Sequence, residues 1–177
     1  MADIVLRPLR LEDAPRVCLW MNDKDTVRYL GGGFENPVSL EDAKERIALQ
    51  LDGEFTGERF AVSFADTGEY LGECSLLLPD GRAKKAELAL VLLPDARGRG
   101  YALQALKLLL DYAFLQKGYQ RLYLKCAFKN QRAVHLYERA GFLKEGVLRR
   151  HLCTDEGPDD VILYGMLREE YLARREQ

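Results

Sequence analysis

An apolar run from Leu88 to Leu93 feeds directly into Pro94-Asp-Ala-Arg-Gly-Arg-Gly-Tyr-Ala102, and a long amphipathic pattern from Leu103 to Phe114 leaves it. The chain must therefore pass from a strand through a glycine-rich turn into a helix. Such a junction is an anion site by construction. The first backbone N–H groups of a helix have no partner within it, and the helix dipole adds positive potential there. Arg97 and Arg99 add two charges suited to phosphate oxygens. A phosphate-bearing ligand on this turn is the first expectation.

The remaining pattern places the turn in a mixed sheet. Ile4 to Arg7 reads as a first strand. Asp13 is placed to cap a helix with Pro15 in its first turn and an apolar stripe of Val17, Trp20 and Met21. Gly31-Gly32-Gly33 breaks the chain into a loop that could cover a pocket. Ser39 and Asp42 make a capping box ahead of a helix carrying Leu40, Ala43, Ile47 and Leu51 and ending near Gly53. Phe60, Val62 and Phe64 alternate as a strand. Tyr70 to Leu78 and Glu87 to Leu93 follow as strands separated by Asp80-Gly81, an antiparallel meander. A helix from Ala102 to about Lys117 closes at Gly118, and Arg121 to Ala127 is the fifth strand. Asn130 opens a helix with Ala133, Leu136, Tyr137 and Ala140 on one face and Gly141 at its C-cap. Val147 and Leu148 lie in a sixth strand. Val161 to Leu167 form a seventh, after a polar loop from Thr154 to Asp160, and a short charged helix ends the chain. Strands 4 and 5 are joined through a helix and should run parallel. The expected fold is α/β, with helices on both faces of a mixed, mostly antiparallel sheet of about seven strands.

The chain's 177 residues fit a single domain, 1–177, with a sizeable core. A net charge of −2 gives no nucleic-acid footprint and suits a cationic small substrate. Cys18, Cys74, Cys126 and Cys153 show no C-x-x-C spacing and read as reduced thiols, hence the cytoplasm. No basic-then-apolar leader follows Met1 and no apolar run has membrane-spanning length, so neither secretion nor a membrane partner is expected. His135 and His151 lack paired ligand spacing, and no metal site is expected.

The turn itself leaves the ligand open, but its neighbours narrow it. The Gly-Lys-Ser/Thr of a nucleotide-hydrolase loop is missing. A dinucleotide fold would need a small residue where Leu103 stands. Arg97-x-x-Gly100-x-Ala102, three residues after Pro94, instead resembles the acetyl-CoA signature of the GNAT N-acetyltransferases. Downstream, Asn130-Gln-Arg-Ala133-Val-His-Leu-Tyr137-Glu-Arg-Ala-Gly141-Phe142 resembles that family's second signature. Leu6-Arg7-Pro8-Leu9 with Glu12-Asp13-Ala14, and Asp160 to Leu167, resemble the subgroup that acetylates ribosomal-protein N-termini (the RimJ/RimL type). These segments span nearly the whole chain.

The resemblance implies that strands 4 and 5 splay apart and that the pantetheine arm of acetyl-CoA lies between them. The backbone of Leu90, Val91 and Leu92 would bond that arm, with a β-bulge turning the Leu92 N–H toward the thioester carbonyl as oxyanion donor. Arg97, Gly98, Arg99, Gly100, Tyr101, Ala102 and Leu103 would hold the pyrophosphate. Asn130, with Ala133 and Tyr137 on the same helix, would line the pantetheine side. The acceptor amine must lose a proton, because an alkyl amine of pKa about 10.4 is neutral in only about 1 part in 2500 at pH 7. Glu87 is the expected base, through water, and Tyr137 the acid that protonates the leaving thiolate. Direct attack without an acyl-enzyme is implied.

Blander readings accompany these. Tyr137 on an apolar stripe could be plain core, Glu87 a strand-edge acid, and Arg97 and Arg99 surface charges. Cys126 lies in a buried strand pattern and reads as packing. Asp155, Glu156, Asp159 and Asp160 read as a solvated loop, or as a field drawing a cationic acceptor. The leading acceptor is a ribosomal-protein N-terminal amine. The alternative is a polyamine such as spermidine, because Arg28-Tyr29 and Phe34-Glu35-Asn36-Pro37 resemble segments of the spermidine acetyltransferases. Here the three-glycine loop lengthens the connection, and Asn36 stands where that group carries a second acid. A non-catalytic acyl-CoA sensor is the reading from another class. Dimers are common in the family, and the resemblance implies a homodimer or higher homo-oligomer.

Overall fold

The computed structural model describes residues 2–31 and 36–175. Seven strands form one sheet: β1 (Ile4–Pro8), β2 (Gly57–Phe64), β3 (Tyr70–Asp80), β4 (Lys85–Leu92), β5 (Arg121–Ala127), β6 (Leu143–Thr154) and β7 (Gly157–Leu167). Their order is β1-β2-β3-β4-β5-β7-β6. Every neighbouring pair is antiparallel except β4 and β5, the pair joined through a helix. The helices are α1 (Ala14–Met21), α2 (Lys24–Val27), α3 (Leu40–Leu51), α4 (Tyr101–Asp111), α5 (Gln131–Ala140) and α6 (Arg168–Arg175).

β3 is buried at seven consecutive residues, Tyr70 to Leu76, which requires cover on both faces. The register shows which helices supply it. Phe60 and Phe64 of β2 meet Tyr112 and Tyr101, so even-numbered positions there face α4 and its continuation. Ala61 of β2 pairs with Glu73 of β3, and Glu73 bonds Arg46 of α3. Glu73 in turn pairs with Val91, and Glu87 with Tyr123 of β5. By strict alternation, Glu87, Ala89, Val91, Tyr123 and Lys125 therefore point to the face that carries α1 and α3. Leu88, Leu92, Leu122, Leu124 and Cys126 point to the α4 and α5 face and are buried there.

A buried polar cluster sits on the α1–α3 face. Trp20 Nε1 donates to Tyr70 Oη at 3.0 Å, and Arg46 donates two bonds to Glu73, which is only 4% exposed. An acid that deep is tolerated because its counter-charge comes with it. Arg59 lies close by with its guanidinium over the Phe55 ring. Burial, then the Arg46 charge, lowers its pKa to about 10.

Several local expectations are corrected. The Asp13 carboxylate accepts from the Arg10 N–H and pairs with Arg7 instead of capping α1 by side chain, because a buried guanidinium is the stronger partner. Ser39 and Asp42 do form the capping box, but Leu40 and Leu51 are exposed and only Ala43 and Ile47 of that stripe reach the core. The helix expected to run to Lys117 is α-helical to Asp111 and continues as one π turn, Tyr112–Gln116. The expected loop from Thr154 to Asp160 is a tight hairpin, with β7 starting at Gly157. Asp159 is buried and accepts from the Lys129 N–H, and Asp160 accepts from the Arg150 N–H. All four cysteines are free thiols, with Cys74 and Cys126 buried. Of the glycine loop, Gly32 and Gly33 lie outside the described residues, as do Phe34 and Glu35. No helix among the described residues is long and apolar enough to cross a membrane.

Candidate active site

β4 and β5 share only three rungs, Lys85 with Arg121, Ala86 with Leu122 and Glu87 with Tyr123. Beyond Glu87 they diverge. β4 keeps its regular pairing with β3 through Leu92 on the other side. The result is a wedge-shaped cleft of about 760 Å³. It passes through the sheet and joins its two faces.

β4 carries no bulge between Leu88 and Leu92, contrary to expectation. The register shifts fall instead at Val62/Ser63 between β2 and β3, at Leu77/Asp80 between β3 and β4, and at Lys144/Gly146 and Leu148/Leu152 between β6 and β7. No bulge is needed to aim an N–H into the cleft. The Leu93 N–H bonds Leu71 O on the β3 side at 2.9 Å. Alternation then turns the backbone groups of Leu90 and Leu92 toward the wedge, and those of Val91 toward β3. So Val91 lines the cleft by its side chain, while its backbone is spent on the sheet. Gly72 permits this close β3–β4 packing: a Cβ there would lie 2.2 Å from Val91 O.

On the α4 face, the turn after β4 is a single 3-10 turn, Pro94–Ala96, followed by Gly98 and Gly100 with φ of +74° and +81°. Left-handed backbone at both positions suits glycine and swings the chain into α4. No side chain caps α4, so the N–H groups of its first turn, Tyr101 to Leu103, stay available. Gly98, Gly100 and Ala102 line the cleft. Arg99 is exposed and outside the lining, and Leu103 is half-buried there. The Tyr101 side chain turns into the core, edge-on to Phe64 at 5.5 Å, so only its backbone faces the turn.

The Arg97 side chain departs most from expectation. Its Nε donates to Leu92 O at 3.1 Å, and its Nη2 reaches Asp23 Oδ2 at 3.1 Å and Thr26 Oγ1. Desolvation pushes the Asp23 carboxyl up, but bonds from Thr26 and Arg97 outweigh it and hold the group below its usual range. The guanidinium thus ties the glycine-rich turn to α2, while Arg97 remains part of the cleft lining.

α5 supplies the opposite wall. Asn130 Oδ1 accepts the Ala133 N–H as N-cap, leaving Nδ2 for the cleft that Asn130 and Ala133 both line. Tyr137 also lines it, 7% exposed, packed against Phe142 and Tyr164. Burial, then the neighbouring Cys126, pushes its pKa up, so it stays a protonated phenol and hence a donor. Cys126 lines the cleft too, but burial, with Asp159 and Glu138, pushes its thiol up to about 12, which suits packing and not nucleophilic attack.

On the α1–α3 face, Glu87 sits where the strands part, 16% exposed by side chain and 3.7 Å from Lys125 Nζ. Asp25, Thr26, Tyr29 and Leu30 complete this mouth. Arg28 stacks on Tyr29 and pairs with Glu156 at 3.1 Å, so the tip of the β6–β7 hairpin reaches the α2 segment. Asp25, Thr26, Lys125, Arg132 and His135 line the cleft without having been picked from the sequence.

A family model for the acetyltransferase (GNAT) domain matches residues 3–143. The chain belongs to the GNAT acetyltransferase family. As a GNAT acetyltransferase it is an enzyme of the class that takes acetyl-CoA as co-substrate. The spermidine N(1)-acetyltransferase of Escherichia coli K12 is 30% identical over 175 residues, covering 96% of this chain and 89% of the relative. That of Vibrio cholerae is 28% identical over 175 residues, covering 99% of each. A Vibrio cholerae spermidine N-acetyltransferase structure in complex with CoA and spermine superposes with a TM-score of 0.85, 28% identity and coverage of 96% of this chain and 98% of that one. The Bacillus subtilis "Putative ribosomal N-acetyltransferase YdaF" is 26% identical over 171 residues, covering 95% of this chain and 93% of the relative.

Proposed function

We propose that this GNAT enzyme acetylates a polyamine of the spermidine class. The observation that carries the reading is the likeness over nearly the full chain to spermidine N-acetyltransferases, one of them solved with CoA and spermine. It displaces the ribosomal N-terminal amine as leading acceptor; the putative ribosomal N-acetyltransferase YdaF is similar at lower identity. The mouth supports it chemically, since Asp25, Glu87 and the Tyr29 ring are groups that receive an alkylammonium.

In this reading the cofactor enters from the α4 face. The N–H groups of residues 98–103 hold its diphosphate, and the Leu90 backbone and Asn130 Nδ2 hold its arm in the wedge. The acceptor enters from the opposite face, past α2. Glu87, through water, takes the proton from the amine as the C–N bond forms. The Leu92 N–H stabilises the oxyanion, and Tyr137 gives its proton to the thiolate as the C–S bond breaks. Both faces meet at one gap, which fits direct transfer without an acyl-enzyme. A homo-oligomer belongs to the same proposal, supported by the dodecameric structure of the Vibrio cholerae relative.

Thiol release from acetyl-CoA, measured with spermidine, spermine and an alanine-initiated peptide, tests the acceptor. Turnover on the polyamines at least tenfold above the peptide is expected. The reverse order returns the enzyme to the N-terminal reading, and cofactor binding without turnover on any amine makes it a sensor.

A further inference from the structure

Lys125 lies two residues past Tyr123, the last rung between β4 and β5, and on the same sheet face as Glu87. Its own cross-strand neighbour, Leu163, is apolar. Its ammonium reaches back along the strand to the Glu87 carboxylate, 3.7 Å away, and both residues line the cleft. Glu87 is therefore already occupied by a cation that belongs to the protein. Lys125 is half exposed, so the tie can be exchanged for a ligand, and Glu87 is enclosed, so the exchange happens inside the site.

We propose that Lys125 is a tethered competitor of the acceptor amine and a specificity-determining residue. It fills the Glu87 carboxylate when the mouth is empty and must yield to an incoming alkylammonium. Once the amine is seated, the Lys125 charge stays beside it and disfavours the protonated amine relative to the nucleophilic neutral form, as any like charge at short range does. Tight cationic binding is thereby exchanged for reactivity. The inference rests on the amine-acceptor reading and on Glu87 facing that amine.

The test compares wild type with Lys125→Met and Lys125→Arg, using spermidine at pH 7.5. Loss of the competing charge should lower the spermidine KM of Lys125→Met about two- to fivefold, the range of an exposed ion pair. Its kcat should fall about threefold, half a pKa unit in the seated amine. The KM for acetyl-CoA should not change, and Lys125→Arg should restore wild-type values. A merely structural lysine would lower kcat while raising or sparing KM, and that outcome overturns the proposal. So does an acetyl-CoA KM that moves in parallel. Calorimetric titration of spermidine into the CoA-saturated proteins separates this from the acceptor assignment. If wild type binds spermidine without acetylating it, the polyamine reading fails. Tighter binding by Lys125→Met would then still support the competition, and equal or absent binding in both proteins would refute it.

Discussion

Replacing Arg97 by Ala separates two roles for one guanidinium. As found, it donates to Leu92 O, Asp23 Oδ2 and Thr26 Oγ1, and the Arg97 and Asp23 side chains are 22% and 26% exposed. Charged hydrogen bonds of this kind contribute about 1.5–3 kcal/mol each when fully buried. Partial exposure and the entropy of holding a long side chain bring the set to about 1–2 kcal/mol. Arg97→Ala should therefore lose about 1–2 kcal/mol in urea unfolding at pH 7. The loss should shrink in acid. The Asp23 pKa is lowered on folding, so its contribution is full above the ordinary carboxylate range, near pH 4, and vanishes as pH falls through the lowered value. Calorimetry should show CoA affinity reduced by less than about threefold, about 0.7 kcal/mol. The acceptor KM should rise, because α2 is untied from the turn. A CoA affinity about 30-fold weaker, about 2 kcal/mol, with unfolding unchanged would refute the reasoning and make the guanidinium a phosphate ligand.

Tyr137→Phe keeps the ring among Phe142 and Tyr164 but removes the buried donor. It should lower kcat about 100-fold or more with CoA affinity within about twofold; full turnover at every pH would eliminate the phenol as acid. Arg46→Met strands the Glu73 carboxylate in the core and should cost about 3–5 kcal/mol in unfolding, most of it recovered in the Arg46→Met/Glu73→Gln pair. A single-variant loss below about 1 kcal/mol would show that Glu73 finds another partner.

The sequence was legible where a local rule decides the outcome. The apolar run ending at Pro94, the paired glycines at 98 and 100, and the Asn130 and Gly141 caps each act within a few residues, and the strand, turn and helices stand where those signals put them. What stayed hidden depends on distant partners. Arg97 reads as a phosphate ligand, and nothing local names Asp23, 74 residues away in sequence, as its partner. Glu73 is an anomaly in an apolar strand, and nothing local names Arg46 as its counter-charge. α2 has four residues and none of them is buried, so no periodicity announces this segment, which lines the cleft through Asp25 and Thr26. The hairpin at Asp155-Glu156 reads as a loop because its acids look solvated, whereas Asp159 and Asp160 are consumed by backbone N–H groups.

The three-rung junction of β4 and β5 has a consequence outside chemistry. A sheet left open down its middle forgoes part of its ladder, and a ligand extended in the wedge would supply the missing partner. Ligand binding to the folded state alone adds RT ln(1 + [L]/Kd), about 2.7 kcal/mol at a hundredfold excess over Kd. Acetyl-CoA seated in the wedge should therefore raise the resistance of the purified protein to proteolysis and heat as its concentration rises above Kd.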